Sequence, residues 1–254
     1  MLKLKKASVA CALVAGLAAG GAQAAQDCGE VSITEMDWGS AIIVTQVAKF
    51  LLEQGYGCSI TVVPSASTPA LASVTETGEP DIITEVWTNG APAYIPLLEA
   101  GKINELTHVL SDGGVEGLWI PTYLAEAHPE LLTLEGVLAN PDLVGNIMHN
   151  CPVGWTCQVV ATNVAKAGGF DSAGIQDFVH GSGETLTASI ASAYSSKEPW
   201  FGYYWSPSLV LGKYPMVKVE LGSHDPAQQA CNSDVNCATP KVQNWPSSVV
   251  TTVV

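Results

Sequence analysis

An α/β fold is predicted because short β-type runs alternate along the chain with segments of helical period, and because glycines follow several of the helical segments. The chain has 254 residues, of which 47% are hydrophobic and 13% are charged. That is enough for one or two compact units, and it excludes global disorder. Alternation of this kind is typical of βαβ units, so a mainly parallel sheet flanked by helices is expected.

The opening unit is predicted to run strand, helix, strand. A β run starts at Val31, residues 41–52 have an apolar 3.6-residue period, and Gln54–Gly57 ends that helix before the strand Ile60–Val63. The same criteria predict helices over 70–77, 93–100, 121–128, 135–139, 158–167 and 186–195, and strands over 81–86, 118–120, 200–205 and 216–220.

A second lobe is predicted to begin after the turn-forming residues Ser111–Gly114. The strand over 216–220 is expected to lead back to the first lobe. We therefore predict a first lobe formed by residues 26–112 and about 213–254, and a second lobe formed by 113–212.

The first 25 residues are predicted to be a signal peptide. Three lysines precede a small-residue apolar stretch over 7–22, and Ala22-Gln23-Ala24 fits a cleavage site. Cys11 lies too close to the lysines for the alternative, a lipoprotein signal. No later stretch reaches the roughly 18 apolar residues of a membrane span, so we expect an exported chain that starts near residue 26.

The charge balance argues against nucleic acid as a partner. The chain carries 24 acidic and 10 basic side chains, a net charge of −14, and loss of the three signal lysines leaves −17. This sign is unsuited to a phosphate backbone.

Six cysteines remain beyond the signal peptide, and export favours disulfides over free thiols. They fall into three pairs: Cys28 with Cys58, Cys151 with Cys157, and Cys231 with Cys237. The alternative, metal half-sites, lacks a histidine at the short spacing used for zinc, so no metal is expected. Since Cys28 and Cys58 each precede a predicted strand, their bridge would tie the starts of neighbouring strands.

Enzyme motifs are missing from the sequence: there is no G-x-S-x-G, no H-E-x-x-H, no G-x-G-x-x-G after a strand and no Walker loop. His180 and Ser182 are close in sequence, but their glycine neighbours indicate a turn. The five histidines are scattered and are expected on the surface or in loops. No catalytic residue and no cofactor is predicted.

The seven tryptophans are the most informative residues, because several lie where one predicted element ends and another begins. Trp87 ends a strand, Trp205 closes an aromatic strand, and Trp155 lies in the loop between Cys151 and Cys157. The strand ends of an open parallel sheet are where ligands bind in α/β folds. These three residues are therefore predicted to bind a ligand, whereas Trp200 and Trp245 are expected in cores.

These segments resemble the substrate-binding proteins of ABC transporters for glycine betaine and related methylated onium compounds. The similarity covers residues 27–254 and is carried by the Cys-x-x-Gly-Trp-x-Cys loop at 151–157, the Val-Trp-Thr-Asn strand end at Trp87 and the Tyr-Tyr-Trp-Ser-Pro segment at Trp205. It implies a type II periplasmic-binding-protein fold, with two α/β lobes, a hinge and a ligand cleft between them.

The resemblance also implies a periplasmic, monomeric protein that delivers its ligand to an inner-membrane ABC permease and catalyses no reaction. The sequence stops at Val254 in a predicted strand, where relatives continue with further helices of the first lobe. Two explanations stay open, a fragment and a shortened member of the family.

The chemistry of such a ligand fits the residues. A trimethylammonium group has no N–H to donate, so aromatic faces hold it, each contributing about 0.5–2 kcal/mol when desolvated. For the anionic end of the ligand we expect the backbone N–H groups of Thr156 and Cys157, since a helix is predicted to start there.

Three further residues are weaker candidates. In relatives that bind trimethylamine N-oxide or sulfonium ligands, a fourth tryptophan and a nearby glutamate are similar to Trp119 and Glu116. Trp38 either lines the cleft from the first lobe or packs under its sheet.

The sequence does not rank glycine betaine above choline, carnitine, trimethylamine N-oxide or dimethylsulfoniopropionate. A ligand-sensing subunit of a membrane receptor would use the same fold and the same aromatic binding site. An exported α/β hydrolase is the alternative from another class, and it would require a serine, a histidine and an aspartate within hydrogen-bond reach.

Overall fold

The computed structural model describes residues 28–254. The predicted signal peptide, residues 1–25, lies outside this range. Among the helices of residues 28–254, none combines the length and the apolar content needed to cross a bilayer.

Two sheets and their surrounding helices make up the described chain. The strands are β1 (Glu30–Glu35), β2 (Ser59–Pro64), β3 (Ile82–Trp87), β4 (Glu105–His108), β5 (Gly114–Pro121), β6 (Ile147–Asn150), β7 (Gln176–Val179), β8 (Gly202–Ser206), β9 (Met216–Lys218), β10 (Ser247–Ser248) and β11 (Val250–Val253). The helices are α1 (Gly39–Tyr56), α2 (Ser67–Thr77), α3 (Tyr94–Glu99), α4 (Thr122–Ala127), α5 (Leu134–Ala139), α6 (Thr156–Gly168), α7 (Gly183–Ser196), α8 (Leu209–Lys213) and α9 (Pro226–Asn232).

The first sheet has the strand order β2-β1-β3-β11-β4. The predicted strand, helix, strand opening is confirmed, since β1 pairs in parallel with β2 and with β3. Helix α1 lies against β1, and the Thr45 hydroxyl donates to the carbonyl of Thr34 at 3.1 Å. It ends at Tyr56 because Gly57 takes a left-handed conformation (φ 72°) that glycine adopts without steric cost.

The last residues of the chain complete this sheet. Strand β11 runs antiparallel between β3 and β4, with Val250 opposite Trp87 and Thr251 opposite both Val86 and His108. The predicted strand at this point of the chain is therefore present, and it lies in the first sheet, next to the edge strand β4.

The second sheet has the order β10-β5-β8-β6-β7, and β9 pairs with the other part of β5. This corrects the expected return to the first lobe near residue 213. The predicted strand over 216–220 is β9, which is antiparallel to β5 with Trp119 opposite Lys218, and β10 also pairs with β5. The chain rejoins the first sheet only at Val250.

The sequence does not predict β4, β6 or β7. Each has four residues, and an alternating pattern cannot be distinguished from irregular chain over so short a run. Helix α9 is also unpredicted; its last residue accepts a hydrogen bond at the Asn232 carbonyl from Asn163 of α6, at 2.9 Å.

All three predicted disulfides are present. Cys28–Cys58 joins the starts of β1 and β2, where Glu30 is paired with Ser59, as expected for neighbouring parallel strands. Cys151–Cys157 and Cys231–Cys237 close two loops of equal length, with Cα–Cα distances of 6.1 and 5.1 Å.

Two histidines that are distant in sequence form a pair in the second sheet. His149 Nδ1 lies 2.9 Å from His180 Nε2, and the His149 ring stacks on Trp200 with an angle of 3° between the planes. Burial lowers the pKa of His149 to about 4, and the charge of a protonated His180 would lower it further. The pKa of His180 is also lowered by burial.

This pair makes the fold sensitive to acid. Because the pKa of His149 is lower in the folded protein than in the unfolded chain, the unfolded chain takes up the proton first. We predict that the free energy of unfolding decreases by about 3 kcal/mol from this group as the pH falls from about 6.5 to 4. Urea unfolding at pH 7 and pH 4.5 measures the decrease.

The His149→Phe variant separates this effect from carboxylate titration, since phenylalanine still stacks on Trp200 but does not titrate. Its stability should depend less on pH than that of the wild type. The exposed His108→Gln serves as the control and should keep the wild-type dependence. Equal pH dependence of all three proteins would contradict the prediction.

Candidate functional site

A cavity with an empty volume of about 280 Å³ lies between the two sheets. Its lining comes from both halves of the chain and is mostly aromatic. The lining residues are Trp38, Ser67, Trp87, Glu116, Trp155, Thr156, Cys157, Tyr203 and Trp205.

The structure brings the three strand-end and loop tryptophans together, as the sequence predicts, and adds Trp38. Ring centroids are 6.2 Å apart for Trp87 and Trp205, 5.5 Å for Trp155 and Trp205, and 5.0 Å for Trp38 and Trp155. All three pairs meet edge to face, with interplanar angles of 68–72°. Four indole rings therefore surround one small space; we call them the cage.

Local structure explains where each ring lies. Trp87 is the last residue of β3, and Trp205 is near the end of β8. Trp38 and Trp155 immediately precede α1 and α6, where the backbone is still extended. The cage is thus assembled from strand ends and helix starts, which meet at one edge of each sheet.

A carboxylate that sequence reasoning missed fixes two of the rings. Glu85 Oε2 accepts from Trp38 Nε1 at 2.6 Å and from Trp87 Nε1 at 3.4 Å, and Ser40 also donates to it at 3.1 Å. Burial raises the pKa of Glu85 despite these hydrogen bonds. The sequence carried a signal: Glu85 and Trp87 are two apart in a buried strand and so share a face.

The third ring, Trp155, has its own carboxylate. Its Nε1 donates to Asp37 Oδ1 at 2.6 Å, and the Gly183 amide donates to Asp37 Oδ2 at 3.1 Å. Asp37 was also missed, and no local signal indicates it, because its partners are 118 and 146 residues away.

Glu116 is the acidic residue in the cavity lining. Its carboxylate accepts from the Tyr203 hydroxyl at 2.6 Å and from Asn89 Nδ2 at 3.3 Å. Burial raises the pKa of Glu116, and its hydrogen bonds offset this only in part. The pKa of Tyr203 is raised by burial and by the neighbouring Glu116.

Trp119 is not among the residues that line the cavity, contrary to the expectation that it would join the site. Its Nε1 donates to the carbonyl of Tyr204 at 2.9 Å. Strand geometry accounts for the difference, because residues three apart on β5 point to opposite faces. Glu116 faces the cavity opposite Trp205, so Trp119 faces away, opposite Gly202.

Thr156 and Cys157 occupy the first turn of α6 at the cavity wall. The preceding Trp155 gives no side-chain cap to this helix. Since the first N–H groups of a helix have no partner within it, this wall offers hydrogen-bond donors and the positive end of the helix dipole. The Cys151–Cys157 disulfide fixes the loop that carries them.

Two sheets flanked by helices, with an aromatic cavity between them, form a two-lobed binding protein of the type II periplasmic class. Residues 29–253 match the family described as the substrate binding domain of the ABC-type glycine betaine transport system. The chain belongs to this family, and it is a substrate-binding protein of an ABC transporter of the glycine betaine type.

Solved structures agree on the fold. A choline-binding ABC-transporter protein in complex with choline has 16% identity and a TM-score of 0.66, covering 89% of this chain and 72% of that one. The Borrelia burgdorferi glycine betaine/L-proline-binding protein has 17% identity and a TM-score of 0.66, covering 89% and 74%. Lactococcal OpuAC with glycine betaine has 17% identity and a TM-score of 0.60, covering 89% and 77%. No curated sequence matches the chain significantly.

Proposed function

We propose that this protein captures a small methylated onium compound in the cage and delivers it to an ABC permease in the inner membrane. Glycine betaine is the first candidate ligand. The observation that carries the proposal is the convergence of four indole rings and a buried carboxyl group on one cavity. Export by the signal peptide, a periplasmic location and a monomeric state are parts of the same proposal.

The cage is suited to a cation that cannot donate hydrogen bonds. A quaternary ammonium spreads its charge over methyl groups, so it is attracted to the faces of aromatic rings. Three or four rings at about 0.5–2 kcal/mol each supply on the order of 4–6 kcal/mol. Since the indole N–H groups of Trp38, Trp87 and Trp155 already bond to carboxylates, their polar edges are turned away from the ligand.

Micromolar affinity requires about 8 kcal/mol, so the anionic end of the ligand must also be held. The start of α6, at Thr156 and Cys157, supports this role because a carboxylate there would accept unpaired backbone N–H groups. Glycine betaine combines both features, a trimethylammonium group and a carboxylate.

Glu116 favours trimethylamine N-oxide as a second candidate ligand. In its protonated form this carboxyl donates a hydrogen bond, which suits an oxygen bound directly to the cationic nitrogen. In its ionised form it attracts the cation. Because burial raises the pKa of Glu116, the two modes have opposite pH dependence: the hydrogen bond to an N-oxide oxygen would strengthen binding at lower pH, whereas a cation without such an oxygen would favour proton release and bind more tightly at higher pH.

The hydrolase alternative gains no support from the geometry. His180 pairs with His149, and Ser182 caps α7 through the Thr185 amide at 3.2 Å. The cavity lining includes Ser67 but no histidine.

Binding measurements with a panel of methylated onium compounds test the proposed function directly. We expect calorimetry of the mature protein to give micromolar binding of glycine betaine and weaker binding of choline, which lacks an anionic group; carnitine, trimethylamine N-oxide and dimethylsulfoniopropionate complete the panel. If choline binds as tightly as glycine betaine, the anion role of Thr156 and Cys157 is refuted. If no member binds, the proposed function is wrong.

A graded series at Trp155 tests the cage. Trp155→Leu removes the aromatic face and should weaken binding about tenfold or more, the equivalent of about 1.4 kcal/mol or more. Trp155→Phe loses the same hydrogen bond to Asp37 but keeps a smaller face, so it should bind more tightly than the leucine variant. Equal affinities of the two variants would mean that the ring face does not contact the cation.

The role of the Cys151–Cys157 disulfide in ligand binding can be tested by comparison with Cys231–Cys237, which closes a loop of equal length away from the cage. Cys151→Ala/Cys157→Ala and Cys231→Ala/Cys237→Ala should each lose about 2 kcal/mol of unfolding free energy, the value for a seven-residue loop. Only the first pair should also lose ligand affinity, because only that loop positions Trp155 and the start of α6. Similar affinity losses in both double variants would show that the bridge acts through general stability.

A further inference from the structure

The structure points to a positioning residue outside the cavity lining: we propose that Asp37 latches the two lobes together and makes the placement of Trp155 depend on their closure. We call Asp37, Trp155 Nε1 and the Gly183 amide the latch. Asp37 follows β1 of the first sheet, whereas Trp155 and Gly183 precede and begin helices of the second half, α6 and α7. Both hydrogen bonds therefore cross from one lobe to the other.

Asp37 accepts a hydrogen bond from a backbone N–H that has no partner within α7. Ser182 caps this helix through a capping box with Thr185, in which each side chain bonds the backbone N–H of the other residue. The Gly183 N–H, at the first position of the helix, has no partner within the helix. The carboxylate of Asp37 supplies one from the opposite lobe, at the positive end of the helix dipole.

Packing at Gly183 is tight enough to depend on closure. A Cβ at this position would lie 2.6 Å from the Asp37 carbonyl oxygen and 2.8 Å from Trp155 Cζ2. These contacts come from the neighbouring lobe and from the cage. A side chain at 183 would therefore be compatible with separated lobes but not with the latched arrangement.

A second contact across the cleft reaches the same loop. The Thr68 amide, in the first turn of α2, donates to the Gly154 carbonyl at 3.0 Å. Trp155 is thus held by the first lobe at its own indole N–H and through its preceding residue. When the lobes separate, both bonds break and the ring loses its fixed orientation, so the cage is complete only in the closed protein.

The latch does not depend on which ligand is bound, so it can be tested on the ligand-free protein. In ligand-free Asp37→Asn, NMR should show hydrogen exchange at the Gly183 amide and the Trp155 indole N–H at least tenfold faster than in the wild type. Asp171→Asn removes the same charge from an exposed site and should leave both rates unchanged. Thermal unfolding followed by circular dichroism verifies that each variant is folded.

Gly183→Ala provides a variant that keeps the Asp37 charge. It should also accelerate exchange of the Trp155 indole N–H, because the added methyl group separates the latch. If the wild type binds glycine betaine, Asp37→Asn and Gly183→Ala should both raise the dissociation rate constant about tenfold with little change in association.

Wild-type exchange rates in both Asp37→Asn and Gly183→Ala would overturn the latch. Absence of onium binding by the wild type would refute the proposed function instead, and the exchange measurements would still decide on the latch.

Discussion

Burial of an indole N–H is the constraint on which the site depends, because a tryptophan donor removed from water needs an acceptor. Glu85 accepts from two rings of the cage and Asp37 from a third. Each acceptor lies at the edge of its ring, so the ring faces are left for the cavity. The carboxylates thereby set the orientation of the aromatic surface as well as satisfying its polar atoms.

The same arrangement explains the sign of the local charge. Glu85 and Asp37 are bonded to the indole edges, and Glu116 forms part of the lining. The buried carboxylates of Glu85 and Glu116 attract a cation more strongly than they would in water, because little solvent screens them, whereas Asp37 is exposed. Burial disfavours the ionised form of Glu85 and Glu116. A bound cation would therefore offset the free-energy cost of ionising these buried carboxyl groups.

Much of the fold and part of the site could be predicted from sequence, because period, turn residues and cysteine spacing are local signals. The opening βαβ unit and the disulfides are of this kind. Trp119 lies outside the cavity lining, and the alternation of side chains along β5, which separates it from Glu116, could have indicated this. Asp37 could not be found, because its role arises from residues more than a hundred positions away. The late return to the first sheet was also hidden, since the pairing partner of β9 is set by tertiary structure.

The cage also gives this protein a distinctive ultraviolet response. Four of its seven tryptophans share one cavity, with neighbouring centroids 5.0–6.2 Å apart. At such separations the electronic transitions of indole rings couple, and their near-ultraviolet circular dichroism and emission depend on mutual orientation. The spectrum of the unlabelled protein therefore contains a contribution set by the geometry of one site, which makes that geometry observable without a dye.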